Sequence, residues 1–247
     1  MIWLAGDPHG SLDYLLPLLH SGRPDALIIL GDLALHSSAQ LQALEELTQV
    51  WFIPGNHDSL SVAAYEALFS GPFRGRNLHG RVTEVAGVRV AGLGGVFRGQ
   101  IWMPPYKPMF FDPIHYCQHL EQSQLWHGGL PLRHRTTLFP SDLEGLSQQQ
   151  ADILVTHEAP QPHARGFAVL NDVARALGVR CLFHGHHHVN RHYGDCGGFQ
   201  AIGVGYRAVC DLQGNWICPG EEVAPHHQGG RGHYSSYHQG NGGSRQR

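Results

Sequence analysis

Val50-Trp51-Phe52-Ile53-Pro54-Gly55-Asn56-His57-Asp58 decides the fold: four apolar residues, a stop, then three polar groups in a row. An apolar run this short, closed by Pro and Gly, reads as a buried strand. The same grammar recurs on either side. Residues 2–5 lead into Gly6-Asp7-Pro8-His9, and residues 26–30 into Gly31-Asp32. Residues 152–156 lead into His157, and residues 180–183 into His184-Gly185-His186-His187-His188. Between the first three strands lie helix-like segments at 12–20, 39–48 and 60–69, the second with Ser37 or Ser38 as N-cap. Strands alternating with helices of this length build βαβ units around a parallel sheet, the α/β class. In such sheets ligands gather at the carboxyl ends of the strands.

Those carboxyl ends are where the chemistry collects. Five successive strand ends each present a metal-competent group: Asp7 and His9, Asp32, Asn56, His157, then His186 and His188. One Asp or His after a strand is an ordinary cap or turn residue; five together are not. Alternation along extended chain would let Asp7 and His9 grip one ion and His186 and His188 grip another. His184 shares that alternating face, so periodicity alone leaves three ligands open there. Mixed carboxylate, imidazole and amide donors suit borderline ions such as Mn, Fe, Zn, Co or Ni. The lack of Cys in the set argues against a closed structural zinc site.

The rest of the chain is organised around this frame. Residues 81–86 and 88–93 read as a hairpin about Gly87. Residues 98–140 form a long irregular stretch rich in Pro and aromatics, either a substrate-side loop or lid, or a surface insertion. A helix at 168–177 ends at Gly178, and 199–204, 208–212 and 215–218 read as late antiparallel strands. One domain is expected over residues 1–220, followed by a disordered His/Gly/Gln-rich tail at 221–247. His226, His227, His233 and His238 in that tail are at most weak metal traps.

Composition excludes several classes. The 247 residues are 42% hydrophobic and 15% charged with a formal net charge of -3, which fits neither disorder nor a polyanion-binding surface. No apolar run is long enough for a membrane span. Lys107 is the only lysine among 17 basic residues. Arg74, Arg76, Arg98, Arg133 and Arg135 could reach a phosphate, but each reads first as a solvated residue. The aromatic residues of 98–140 could stack a nucleobase. Five cysteines without a CxxC pair, and an N-terminus without a basic leader, point to a reduced, cytoplasmic protein.

Taken in order, Asp-x-His, Gly-Asp, Gly-Asn-His-Asp, a lone His after a strand and Gly-His-x-His resemble the calcineurin-like metallophosphoesterase superfamily, from Asp7 to His188. The resemblance implies a four-layer α/β/β/α sandwich and two divalent transition-metal ions, manganese foremost. Asp7, His9 and His188 would hold the first ion and Asn56, His157 and His186 the second, with Asp32 bridging both. His57 would stay unligated and face substrate together with Asn56, and Asp58 would orient the His57 ring. The implied reaction is hydrolysis of a phosphodiester or phosphomonoester, nucleotide-like among the candidates, by a metal-bridging hydroxide. His184 and His187 would lie behind the ligands or at the surface.

Departures from the family narrow the substrate. Gly31-Asp32-Leu33-Ala34-Leu35-His36 lacks the arginine of the serine/threonine phosphatase signature. The same lack argues against diadenosine tetraphosphate hydrolases. What remains is a small stand-alone esterase with a small phosphoester as its partner and no membrane. A nuclease of the same superfamily and a non-catalytic protein-binding scaffold are the alternatives. Nucleic acid as a partner stays open, and no oligomeric state follows from the sequence.

Overall fold

Ile2 and Leu4 point to one side of the first strand, Trp3 and Ala5 to the other, and all four are buried. A strand buried on both faces needs cover on both. The computed structural model, which describes residues 1–222, supplies it. The first half of the chain runs β1 (Ile2–Ala5), α1 (Leu15–Gly22), β2 (Ala26–Ile29), α2 (Ala39–Glu45), β3 (Gln49–Phe52) and α3 (Val62–Phe69). β1, β2 and β3 pair in parallel, Ile2 with Ala26 and Ala26 with Gln49. Trp3, Ala5, Leu27, Ile29, Val50 and Phe52 pack against Leu15 and Leu19 of α1, Leu41 and Leu44 of α2, and Leu68 of α3.

The second half runs β4 (Arg81–Val85), β5 (Val88–Leu93), α4 (Pro113–Gln118), α5 (Pro140–Ser147), β6 (Ile153–Thr156), α6 (Ala168–Leu177), β7 (Cys181–His184), β8 (Arg191–Asp195), β9 (Gln200–Gly203), β10 (Val209–Asp211) and β11 (Trp216–Cys218). One sheet has the order β11-β10-β1-β2-β3, the other β4-β5-β6-β7-β9-β8. Ile2, Leu4, Ile28 and Leu30 face Val90, Ile153, Val155 and Phe183 across the gap between the sheets. The outer face of the second sheet, with Ala91, Leu93, Leu154 and Leu182, meets Leu143 and Leu146 of α5 and Leu170, Val173, Ala174 and Leu177 of α6. Spacing of i, i+3, i+4 and i+7 gives α6 a single apolar face, which is why it lies flat on the sheet. The layers are therefore helix, sheet, sheet, helix, as the resemblance implied.

Several local expectations need correction. The first helix begins at Leu15, not residue 12, and the Leu12 N–H before it donates to the Gln40 side chain at 2.7 Å. β9 is parallel to β7 and antiparallel to β8, so it is not simply a late hairpin strand. β8 was not anticipated: its sequence, Arg-His-Tyr-Gly-Asp, is mostly exposed and lacks apolar alternation. β10 returns to the first sheet beside β1, and β11 pairs with β10 at its edge. The stretch at 98–140 is not wholly irregular, since it contains α4 and two short 3-10 turns, Gln122–Gln124 and Leu132–Thr136.

All five cysteines are free thiols. Among the described residues no helix is long and apolar enough to cross a membrane. The expected tail, with His226, His227, His233 and His238, lies outside the described residues from position 223 on.

Candidate metal centre

The loops after β1, β2 and β3 on one sheet, and after β6 and β7 on the other, end at one place. Asp7 and His9 follow β1, Asp32 follows β2, Asn56 opens a 3-10 turn (Asn56–Ser59) after β3, His157 follows β6, and His186 and His188 follow β7. The approach is tight enough to dictate glycines. Gly31 has φ +101°, and a Cβ there would collide with the His157 ring and the Gly55 backbone. A Cβ on Gly55 would run into the Asp32 carboxylate. Any larger residue would push the ligand loops apart.

Backbone strain marks the same spot. Asp7 (φ 36°), His9 (φ 44°), Asp32 (φ 51°), His186 (φ 69°) and His188 (φ 56°) all lie in the left-handed region. That conformation costs side-chain-bearing residues on the order of 1 kcal/mol or more each, and clusters at functional sites. It also corrects the alternation argument. These segments are not extended: Asp7 and His9 still fall in one group, as expected, but His186 and His188 part. His186 joins Asp32 and His157, whereas His188 joins Asp7 and His9. His184 is buried with its Nδ1 against the Gly185 carbonyl at 2.9 Å and belongs to neither group.

Asp32 occupies the centre. Its Oδ2 lies 3.7 Å from His9 Nε2 and 3.9 Å from His57 Nε2, and its Oδ1 lies 3.5 Å from His157 Nε2. Its Oδ1 also accepts the His57 backbone N–H at 2.8 Å. Asp7 accepts the His186 backbone N–H at 2.9 Å and sits 3.9 Å from His188 Nε2. His9 Nε2 and His188 Nε2 are 2.9 Å apart. His157 is fixed by Nδ1 on the Leu30 carbonyl at 2.8 Å, and its Nε2 is 3.3 Å from Asn56 Oδ1.

The electrostatics of the protein alone are discordant. Burial pushes the Asp7 carboxyl up to about 8, and the Asp32 charge adds to that rise. Burial would raise Asp32 as well, but the facing His157 and the His57 N–H hold it well below the usual carboxylate range. Burial would lower His157, yet Asp32 and Asp7 overcome it and push the imidazole up to about 10. Burial brings His9 down to about 4 and His186 to about 3, so both rings favour the neutral form that ligates. Two carboxylates, an amide oxygen and several imidazoles converge on one volume. That donor set fits a borderline divalent cation.

His57 has a side chain 43% exposed, with Nε2 turned towards Asp32. Asp58 differs from the expectation. It is fully buried beneath the loop, and its oxygens accept the Ala34 and Gly55 backbone N–H groups, both at 2.7 Å. No hydrogen bond joins it to the His57 ring among the described residues, since both its oxygens are taken by backbone N–H groups.

The 98–140 stretch packs on the Asn56–Ser59 turn. Ser59 Oγ lies 2.6 Å from Thr136 Oγ1 and 3.2 Å from the Arg133 carbonyl, within hydrogen-bond reach of both. The Arg98 guanidinium donates to the Thr136 carbonyl and Thr137 Oγ1, and Arg135 to the Trp126 and Leu130 carbonyls. Arg76 pairs with Glu45 over the Trp51 ring. These three are spent on the protein itself; among the described residues no ion pair or side-chain hydrogen bond holds the Arg133 or Arg74 guanidinium. Sequence reasoning also passed over Glu158, a buried carboxylate beside the ligands. Its signal was adjacency to His157, at a position where a solvated acid has no room.

The comparisons bear on family and fold. A family model described as calcineurin-like phosphoesterase matches residues 1–190. An uncharacterized protein of Haemophilus influenzae is 53% identical over 217 residues, covering 88% of this chain and 96% of the relative. Among solved structures, TT1561 of Thermus thermophilus superposes with a TM-score of 0.56 at 16% identity, over 87% of this chain and 96% of that one. A dimetal phosphatase from Danio rerio does so with a TM-score of 0.51 at 15% identity, over 84% and 91% of the two chains. The structures share the fold, and the family model carries the assignment: the chain belongs to the calcineurin-like phosphoesterases.

Proposed function

We propose that this metal-dependent phosphoester hydrolase works with two divalent ions on a small phosphodiester or phosphomonoester, in the cytoplasm. The observation that carries the reading is the pair of ligand groups, Asp7–His9–His188 and Asp32–His157–His186, meeting at Asp32. In this reading Asp7, His9 and His188 hold one ion, Asn56, His157 and His186 the other, and Asp32 both. Manganese is the first ion to try. When bound, such ions supply Lewis acidity towards phosphoryl oxygens and water.

The chain's own residues do the rest. Asn56 turns its amide oxygen inward, which leaves its N–H groups for a phosphoryl oxygen of the substrate. His57, at the solvent side of Asp32, gives its proton to the departing alkoxide. The left-handed loops hold the donors before substrate arrives, so little reorganisation is left for the reaction. The free cysteines accord with a reducing compartment. Arg133, on the turn that packs against Asn56–Ser59, is the best-placed cation for a distal charge of the substrate.

The test is turnover of p-nitrophenyl phosphate and bis-p-nitrophenyl phosphate by manganese-loaded protein, with metal counted in parallel. Turnover lost on chelation and restored by manganese, with two ions bound at the centre, supports the reading. A fully loaded protein that cleaves neither ester, nor single-stranded DNA, is a binding scaffold instead.

A further inference from the structure

β9 runs parallel to β7, so its carboxyl end opens on the edge of the sheet from which His157 and His188 reach the centre. The chain there reads Gly203-Val204-Gly205-Tyr206-Arg207. A late antiparallel strand would have put that end elsewhere, which is why the sequence pattern passed over Tyr206.

The loop that carries Tyr206 is tied down on both sides. The Gly205 N–H donates to Asn190 Oδ1 at 2.8 Å, and the Arg207 N–H to the Gly6 carbonyl at 2.9 Å. The Tyr206 carbonyl accepts the Glu221 N–H at 3.0 Å. Arg207 Nε donates to the carbonyl of Pro8, between Asp7 and His9, at 3.3 Å.

The Tyr206 ring lies against both imidazoles of the Asp7–His9–His188 group, its centroid 5.7 Å from that of His9 and 5.4 Å from that of His188. Among the described residues no other Phe, Tyr or Trp ring packs against a ligand histidine. The His9 ring also meets the His57 ring, with centroids 4.8 Å apart, so Tyr206 and His57 flank the same ligand. The Arg207 guanidinium carbon is 5.0 Å from the Tyr206 centroid. With imidazoles and a guanidinium against it, the ring has little face left for a nucleobase. The hydroxyl is different. Tyr206 is half-buried, yet its hydroxyl stays open to solvent and has no hydrogen-bond partner among the described residues. A phenolic O–H is a good donor to an anionic oxygen.

We propose that the Tyr206 hydroxyl binds a phosphoryl oxygen of the substrate on the His9–His188 side of the centre, while the Asn56 amide serves the His157–His186 side. The proposal rests on the two-ion reading for the class of substrate, an anionic phosphoester, and adds a residue that holds it. The contact is the same in the bound ester and in bound phosphate, so it acts on affinity and not on the chemical step. The packed ring and tethered loop set the donor in place before substrate arrives.

The experiment compares wild type with Tyr206→Phe, which removes the oxygen and keeps the ring on His9 and His188. Manganese-loaded proteins are assayed on bis-p-nitrophenyl phosphate and p-nitrophenyl phosphate. Binding of inorganic phosphate is measured by calorimetry, and bound metal is counted. The variant keeps the wild-type metal count and kcat. Its KM and its phosphate Kd each rise about 10–100-fold, the usual effect of losing a hydrogen bond to a charged group. Unchanged KM and phosphate Kd overturn the proposal and leave the two-ion reading standing. So does a fall confined to kcat, because a ground-state contact would then be missing. A lower metal count overturns it as well, since the phenol would be serving the ions. If loaded wild type cleaves neither ester, the hydrolase reading falls and phosphate binding decides alone. A weaker Kd in Tyr206→Phe then keeps Tyr206 as an anion-binding residue; an equal Kd, or no phosphate binding by wild type, removes it.

Discussion

His57 and Asp58 are neighbours in sequence with opposite surroundings, and the contrast makes two predictions. His57 is at the mouth of the site and is bonded to Asp32 only through its backbone N–H. His57→Ala therefore keeps bound metal and melting temperature, while kcat falls about 10²–10⁴-fold, the usual range for a lost general acid. Steady-state kinetics with a metal count check this, and unchanged kcat removes His57 from the reaction. Asp58, capped by the Ala34 and Gly55 N–H groups, is a brace for the Asp32 and Asn56 loops. Asp58→Asn places an amide N–H₂ against one of two backbone donors. It should cost about 1–3 kcal/mol in a urea titration and weaken metal binding. Full stability with low kcat would instead restore Asp58 to the role of orienting the ring. The converging donor residues were legible in the sequence because each follows an apolar run directly. Their partnering was not, since the left-handed φ values that pair His186 with Asp32 and His188 with Asp7 leave no mark in residue order.

At the scale of elements, legibility followed local pattern. β1 and α6 were readable to the residue, because four apolar residues stop at Gly6 and one apolar face stops at Gly178. β8 was not, because an exposed edge strand has no buried face to impose alternation. α4 was hidden among prolines and aromatics, although Asp112 caps it through the His115 N–H at 2.8 Å. The turn Leu132–Thr136 matters most for function, since it braces the Asn56–Ser59 turn. Its His134 is buried, with Nδ1 3.2 Å from Thr137 Oγ1 and its ring against Tyr116. Burial, then the nearby Arg98 and Arg133, bring this imidazole down to about 4. The fold therefore favours neutral His134. The stability it contributes is whole above the unfolded imidazole value near 6.5 and is lost as pH falls from there towards 4. The loss is on the order of 1 kcal/mol by pH 5, after allowance for solvent screening. His134→Gln should flatten the acid side of the melting-temperature profile relative to wild type. Parallel profiles between pH 7 and 5 would show that His134 is not strained by its surroundings.

For the whole molecule, the decisive pairings are non-local. β10 lies beside β1, some two hundred residues earlier, with β11 on its outer side, and no local periodicity encodes that return. The division into two sheets has a consequence for metal. Asp7, Asp32 and Asn56 hang from the first sheet, His157, His186 and His188 from the second. Ions held between them, as proposed, would join the sheets at one edge, while the apolar interface of Leu4, Ile28, Val155 and Phe183 joins them along its length. The apolar part persists without metal, so the chain stays folded on chelation. The edge does not, because Asp7 and Asp32 are then left buried near one another. Free metal at a hundred times its Kd contributes about 2.7 kcal/mol per site. At roughly 2–4 °C per kcal/mol for a chain of this size, chelation should lower the melting temperature by about 5–10 °C per ion lost. Calorimetry of loaded and chelated protein, with metal release measured, reads this directly. In Asp32→Ala the shift should shrink, because the residue reaching both ligand groups is gone. A melting temperature unmoved by complete metal removal would mean that the ions are not held between the sheets, however well the donors converge.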